Sequence, residues 1–79
     1  MSILKKRRND IVLFKCSQNI KKYRLEKKLT QEDISFLLQM DFSQYGRIER
    51  GKTNITISTL YDISKILEID IHKLLEFEH

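Results

Sequence analysis

Residues 39–52 read "QMDFSQYGRIERGK", and this stretch decides the fold. Asp41 is a helix N-cap residue, and Gln44, three positions on, can reach back to the cap's backbone N–H. Tyr45 and Ile48 stand three apart, the spacing of a helix face turned to a core. Arg50-Gly51 closes the segment, with Gly51 at the position after the C-cap, where a left-handed backbone is favoured. One residue conflicts with this pattern. Gly46 lies in the helix interior, where glycine costs about 0.5–1 kcal/mol relative to alanine, and the expected helix must gain something that offsets it.

Upstream, the spacing predicts a helix from Ile11 to about Lys28–Leu29. Leu13, Cys16, Ile20 and Tyr23 share one stripe, and Lys15, Lys21, Lys22 and Lys28 lie off it. Thr30 opens a second helix, with Asp33 completing a capping box. That helix buries Ile34 and Leu38 beside the small Ser35. Only a tight turn around Gln39–Asp41 separates it from the third helix. Downstream, "TNITIST" is β-branched, but a loop is the preferred reading, with Thr56 or Ser58 capping a fourth helix that carries Ile57, Leu60, Ile63, Ile66 and Leu67. Asp70 then caps a fifth, with Ile71, Leu74 and Leu75. The expected fold is all-α and compact, with five short helices. Residues 1–10 form a basic N-terminal arm, and residues 11–79 form a single domain.

Composition agrees with this architecture. The chain has 79 residues, no proline and two glycines, few breakers for anything but helices on short connections. Its longest apolar run, "IVLF", is far short of a membrane span, and the basic first stretch lacks the apolar run and small-residue cleavage site expected of a secretory signal. The single cysteine, Cys16, allows no internal disulfide and fits a reducing, cytoplasmic setting. His72 and His79 have no partner at metal-ligand spacing, and there is no glycine-rich phosphate loop, so neither an enzyme nor a cofactor is expected. Charge is uneven along the chain. Residues 1–52 hold 13 lysines and arginines against 6 carboxylates, whereas residues 53–79 hold 2 against 5. A basic first part suits a polyanionic partner, although an unevenly charged soluble surface gives the same count.

Two short helices joined by a tight turn and flanked by others make a helix-turn-helix, whose second helix fits the major groove of DNA. With Tyr45 and Ile48 inward, Phe42, Ser43, Gly46, Arg47 and Arg50 lie on or beside the outer face. Arginine bonds guanine bidentately, and Phe42 suits a thymine methyl. On this reading Gly46 lets the backbone approach the DNA. The alternative is a glycine merely tolerated on an exposed helix.

The segment "LTQEDISFLLQMDFSQYGRIERGKTNITISTLYDISKILEI" resembles the XRE-type helix-turn-helix proteins, which include Cro and the lambdoid repressors. The shared pattern is Leu-Thr-Gln-Glu opening the second helix, Arg-Ile-Glu-Arg-Gly-Lys closing the third, and a Thr-Leu…Ile…Leu helix after them, over roughly residues 17–76. The resemblance implies a lambda-repressor-like, sequence-specific regulator of transcription on double-stranded DNA. Phe42, Ser43 and Arg47, with Gly46, match base-reading positions. Gln31, Lys52 and Asn54 match contacts to the DNA backbone; Arg50 is placed with them, and Gln44, beside the base-reading residues, is open to either a phosphate or a base. Arg24 and Glu49 match a structural pair that orients the reading helix. Three features depart from the family. Asp41 stands where serine or threonine is usual and would repel a phosphate. Phe36 and Leu37 replace polar residues; either the arm, through Ile3, Leu4 and Phe14, covers them or a partner does, and the arm is preferred. The arm cations Lys5, Lys6, Arg7 and Arg8 have no counterpart, and either add DNA contacts or are simply solvated.

The resemblance also implies a homodimer on a pseudo-palindromic operator, built through the C-terminal helix. Tyr61, Ile66, Ile69, Ile71, Leu75 and Phe77 are the candidate interface. A compact chain of this kind looks like an autoregulatory repressor; it also resembles the restriction–modification controller proteins, a subtype of the same function and the alternative reading. A different class of function remains open: an antitoxin-like module whose acidic C-terminal third neutralises a protein. No membrane and no small-molecule ligand are expected.

Overall fold

The computed structural model describes residues 9–77 and consists, over that range, of four α-helices and one 3-10 segment. The first helix, α1, runs Asp10–Glu26, capped by Asn9, whose Oδ1 accepts the Val12 N–H at 3.1 Å. Asn9 and Asp10 therefore start a helix instead of ending an arm. The cations and apolar residues expected to form that arm, residues 1–8, lie outside the described residues. Cys16 and Ile20 are buried, and so, beside them, are Ser17 and Arg24. Burial pushes the Cys16 thiol up, which keeps it unreactive.

The second helix, α2, is Gln31–Leu38. Both halves of its capping box are present: Thr30 Oγ1 accepts the Asp33 N–H at 3.0 Å, and Asp33 Oδ2 accepts the Thr30 N–H at 2.9 Å. These bonds hold the Asp33 carboxyl below its usual range. The third, α3, is Phe42–Glu49. Asp41 occupies its N-cap position, but the Asp41 side chain makes no capping hydrogen bond. The entry into α3 is set by the backbone, because Gln39 turns left-handed and the Met40 N–H bonds the Ser35 carbonyl at 2.9 Å.

The β-branched stretch is a loop, and Thr56 caps α4, Ile57–Leu67, by accepting the Thr59 N–H at 3.1 Å. Ile57 does not join the core face; it is 71% exposed, and burial begins at Leu60. The expected fifth α-helix is instead a 3-10 segment, Ile71–Leu75, and Asp70 makes no side-chain cap. Its hydrogen bonding is of the i→i+3 kind, the Lys73 N–H donating to Asp70 O at 3.0 Å, and Asn19 of α1 takes carbonyls near its C-terminal end, donating to Leu74 O at 3.1 Å and Glu76 O at 2.9 Å. Among the described residues, no helix is long and apolar enough to cross a membrane.

The α-helices share one ending. The left-handed positions are Lys28 (φ 61°), Gln39 (φ 55°), Gly51 (φ 69°) and Glu68 (φ 58°). In each case that residue and the next turn their N–H groups back onto the last turn of the helix, as in the pairs Gly51 N to Ile48 O and Lys52 N to Arg47 O, both Schellman bonds. Three of the four are followed by an apolar residue, Leu29, Met40 or Ile69, packed against the core.

That core gathers Cys16, Ile20, Ile34, Tyr45, Ile48, Leu60, Ile63, Leu67 and Leu74 from every element. Gly51 also brings the α3–α4 connection against α1. A methyl group on it would lie 3.2 Å from Phe14 Cα and 3.3 Å from Ser17 Oγ.

Candidate nucleic-acid interface

Glu49, at the end of α3, ties that helix to the rest of the fold. Its carboxylate accepts from Arg24 Nε at 2.5 Å and Arg24 Nη2 at 3.2 Å, from Gln31 Nε2 at 2.9 Å and from the Tyr45 hydroxyl at 2.5 Å. Arg24 adds a bond from Nη1 to the Leu29 carbonyl at 2.6 Å. One carboxylate thus joins α1, the start of α2 and α3. The Arg24 and Glu49 side chains are only 8% and 2% exposed, so each needs the other as its charge partner.

The protonation states follow from this geometry. Burial pushes the Glu49 carboxyl up, but the hydrogen bonds from Arg24, Tyr45 and Gln31 outweigh it and leave the group below its usual range. Burial first, and then the bond to Glu49, pushes the Tyr45 phenol well above its ordinary value, so it remains a donor. The hydrogen bond to Glu49 raises Arg24 further still.

The outer side of α3 is different. Phe42 is 53% exposed, and Ser43, Gln44, Arg47 and Arg50 are exposed with it. The Arg47 and Arg50 guanidiniums make no hydrogen bond or ion pair among the described residues. Lys52 and Asn54 are exposed on the loop that Gly51 docks, and Gln31 is half-buried at the start of α2. An amide nitrogen has two hydrogens, so Gln31 retains one donor after serving Glu49. Gly46 departs from expectation. It is buried, and what lies over it is Arg50: a methyl group there would stand 3.0 Å from Arg50 Nη1 and 3.8 Å from the guanidinium carbon.

The candidate dimer residues divide. Tyr61 and Leu75 are exposed, whereas Ile66, Ile69, Ile71 and Phe77 pack partly against the chain's own core. Ile66 also lines a shallow groove between α2 and α4 with Leu37, Leu38 and Lys65. Phe36, 80% exposed, and Leu37, 52% exposed, have no cover among the described residues. Ile3 and Leu4, expected to cover them, lie outside those residues, and Phe14 is itself exposed.

Several polar contacts escaped the sequence reading. The Tyr45–Glu49 bond spans four residues on one helix, and that spacing alone could have revealed it. The Gln31–Glu49 bond, the Asn19 bonds to the 3-10 segment and the Lys27–Glu68 ion pair join distant parts of the chain and carry no such signal.

A short α2, a turn of three residues and an α3 clamped from inside with unengaged donors outside define a helix-turn-helix DNA-binding protein of the transcription-regulator class. The chain belongs to the Helix-turn-helix family HTH_3, whose model matches residues 20–74. It is similar to the control protein C.SmaI of Serratia marcescens, 32% identical over 59 residues, a match covering 75% of this chain and 70% of that protein. Among solved structures it is similar to the restriction-modification controller protein C.AhdI from Aeromonas hydrophila, at 32% identity and a TM-score of 0.74, covering 78% of this chain and 94% of that one. It is also similar to the controller protein C.Esp1396I in a nucleoprotein complex, at 38% identity and a TM-score of 0.68, covering 84% and 96% of the two chains.

Proposed function

We propose that this protein binds an operator as a homodimer and regulates transcription by laying α3 in the major groove. Phe42, Ser43 and Arg47 meet base edges there. Gln31, Gln44, Lys52 and Asn54 meet the phosphates and set the register, as contacts to the DNA backbone do. The single observation that carries this reading is the arrangement of α3: its inner carboxylate is fully engaged by Arg24, Gln31 and Tyr45, while its outer guanidiniums are unengaged. Tyr61, Leu75 and the groove at Ile66 supply the contact between copies, with Ile69, Ile71 and Phe77 behind them. A dimer of this kind spans two half-sites about 34 Å apart.

The relatives favour one subtype. C.SmaI, C.AhdI and C.Esp1396I are control proteins, two of them named for restriction–modification, and this chain is best read as a controller of that kind, acting on its own promoter.

The test is fluorescence anisotropy on the DNA upstream of the protein's own gene, against a scrambled duplex, across a salt series. Sequence-dependent binding at physiological salt with two chains per duplex supports the reading. Weak binding that does not discriminate and vanishes with salt overturns it. A stable complex with another protein would then favour the antitoxin-like alternative.

A further inference from the structure

By its place in the chain, Arg50 belongs with the phosphate contacts, because it is the C-cap of α3 and sits where the helix leaves the groove. Its guanidinium lies elsewhere. Long side chains on a helix lean toward the N-terminus, onto the residue four positions back. For Arg50 that residue is Gly46, and there is no side chain to hold the guanidinium off. Nη1 comes to 3.0 Å from where a Cβ would be, over a glycine that is buried. The charged group is thereby carried a full turn toward Phe42 and Arg47, to the part of a reading helix that contacts bases. None of its donors is engaged within the described residues.

We infer that Arg50 is a specificity-determining residue, seated on the reading face by Gly46, and that it recognises a guanine edge instead of a phosphate. The inference rests on the proposed placement of α3 in the major groove. The chemistry is that of a planar fork: two parallel N–H donors matched to guanine O6 and N7, which a lysine cannot reproduce. Gly46 serves the DNA indirectly, since a methyl group there displaces the guanidinium and a longer side chain occupies the seat and turns Arg50 outward.

Selection from a randomised duplex library by the wild-type protein comes first. If it yields no preferred site, the proposed function fails, and this inference with it. If it yields one, each base pair of that site is substituted in turn, and affinities are measured for the wild type, Arg50→Ala, Arg50→Lys, Gly46→Gln and the double variant Gly46→Gln/Arg50→Ala. Thermal melts followed by circular dichroism establish that each is folded. The expected result is a loss of discrimination at one G·C pair of each half-site, of about 5- to 150-fold, in Arg50→Ala and Arg50→Lys alike. Gly46→Gln loses preference at the same pair and adds little when Arg50 is already alanine. Two results overturn the inference while leaving the proposed function standing. In one, Arg50→Ala weakens binding equally at every site and Arg50→Lys restores it, the behaviour of a phosphate contact. In the other, Gly46→Gln is as damaging without Arg50 as with it, so the glycine serves the DNA directly.

Discussion

On its inner side α3 ends at Glu49, whose carboxylate accepts four hydrogen bonds from three side chains. On its outer side, less than a turn away, the guanidiniums of Arg47 and Arg50 have no partner among the described residues. Both faces are polar, yet they do opposite things. Inside, among the described residues, every buried side-chain nitrogen and oxygen has a hydrogen-bond partner, so the cost of burying charge is offset and the helix is held in one orientation. Outside, donors are left open on a scaffold that keeps them in place, so little has to be ordered when a ligand arrives. If the exposed residues read DNA as proposed, their placement rests on the buried Arg24–Glu49 pair that holds α3.

The largest effect should come from breaking the inner face. Arg24→Ala leaves the Glu49 carboxylate buried without its cation, and the expected loss is about 3–5 kcal/mol, read by urea denaturation. That is a large share of the stability of so small a domain. A loss under 1 kcal/mol would mean that the carboxylate is hydrated and does not clamp α3. The same face sets the acid limit. Glu49 has its folded pKa below the unfolded value near 4.3, so its stabilising effect is fully present above that value and is lost as pH falls through the folded pKa. Glu49→Gln should therefore be less stable at neutral pH and should flatten the pH dependence in the acid range. An unchanged acid limb would assign that dependence to other carboxylates.

Next in size is the seat of the loop that carries Lys52 and Asn54. Gly51→Ala meets two penalties at once: a left-handed φ of 69°, and a methyl group 3.2 Å from the backbone of Phe14, which cannot give way as a side chain tip can. A left-handed residue other than glycine costs roughly 1–2 kcal/mol, so about 2 kcal/mol or more is expected from denaturation once the contact is added. A neutral substitution would show that the loop is free to lift from α1. It would also weaken the case that this loop holds Lys52 and Asn54 in fixed positions.

How much of this was legible in the sequence depended on whether the signal was local. Thr30 and Asp33 announce the start of α2 because both halves of a capping box lie within four residues, and the stripes of α1 and α3 are equally local. The ends of α2 and α4 at Leu38 and Leu67 follow from apolar spacing alone, since the left-handed residues after them, Gln39 and Glu68, carry no turn signature. The first helix, α1, stops at Glu26, short of the expected Lys28–Leu29, where the left-handed Lys28 gives no signal either. Ile71 and Leu74 misled for a related reason. A spacing of three suits a 3-10 turn as well as an α-helix, and the bonds from Asn19 that settle the matter come from 55 and 57 residues away. The Arg24–Glu49 pair, 25 residues apart, was visible only through the family resemblance. Arg50 over Gly46 is four residues apart and could have been foreseen from the lean of helical side chains.

Gly46→Ala gives the smallest change and bears most directly on the comparison, because it should move the two faces in opposite directions. Nothing in the core demands glycine at this position; the atoms facing an added methyl group belong to the tip of an exposed arginine, which can shift by a few tenths of an ångström. Alanine also removes the penalty of a glycine inside a helix, so the fold should gain about 0.5–1 kcal/mol and the melting temperature should rise by a few degrees. DNA affinity should fall at the same time, because the Arg50 guanidinium is pushed off its position. Melting and anisotropy on one preparation read both quantities. Gains in stability and in affinity together would mean that the glycine serves neither face. A loss of stability would place the constraint inside the fold, where the structure shows only Arg50 against the added methyl. The expected combination, a more stable protein that binds less well, would show that α3 tolerates a weaker helix in order to keep its outer face open to DNA.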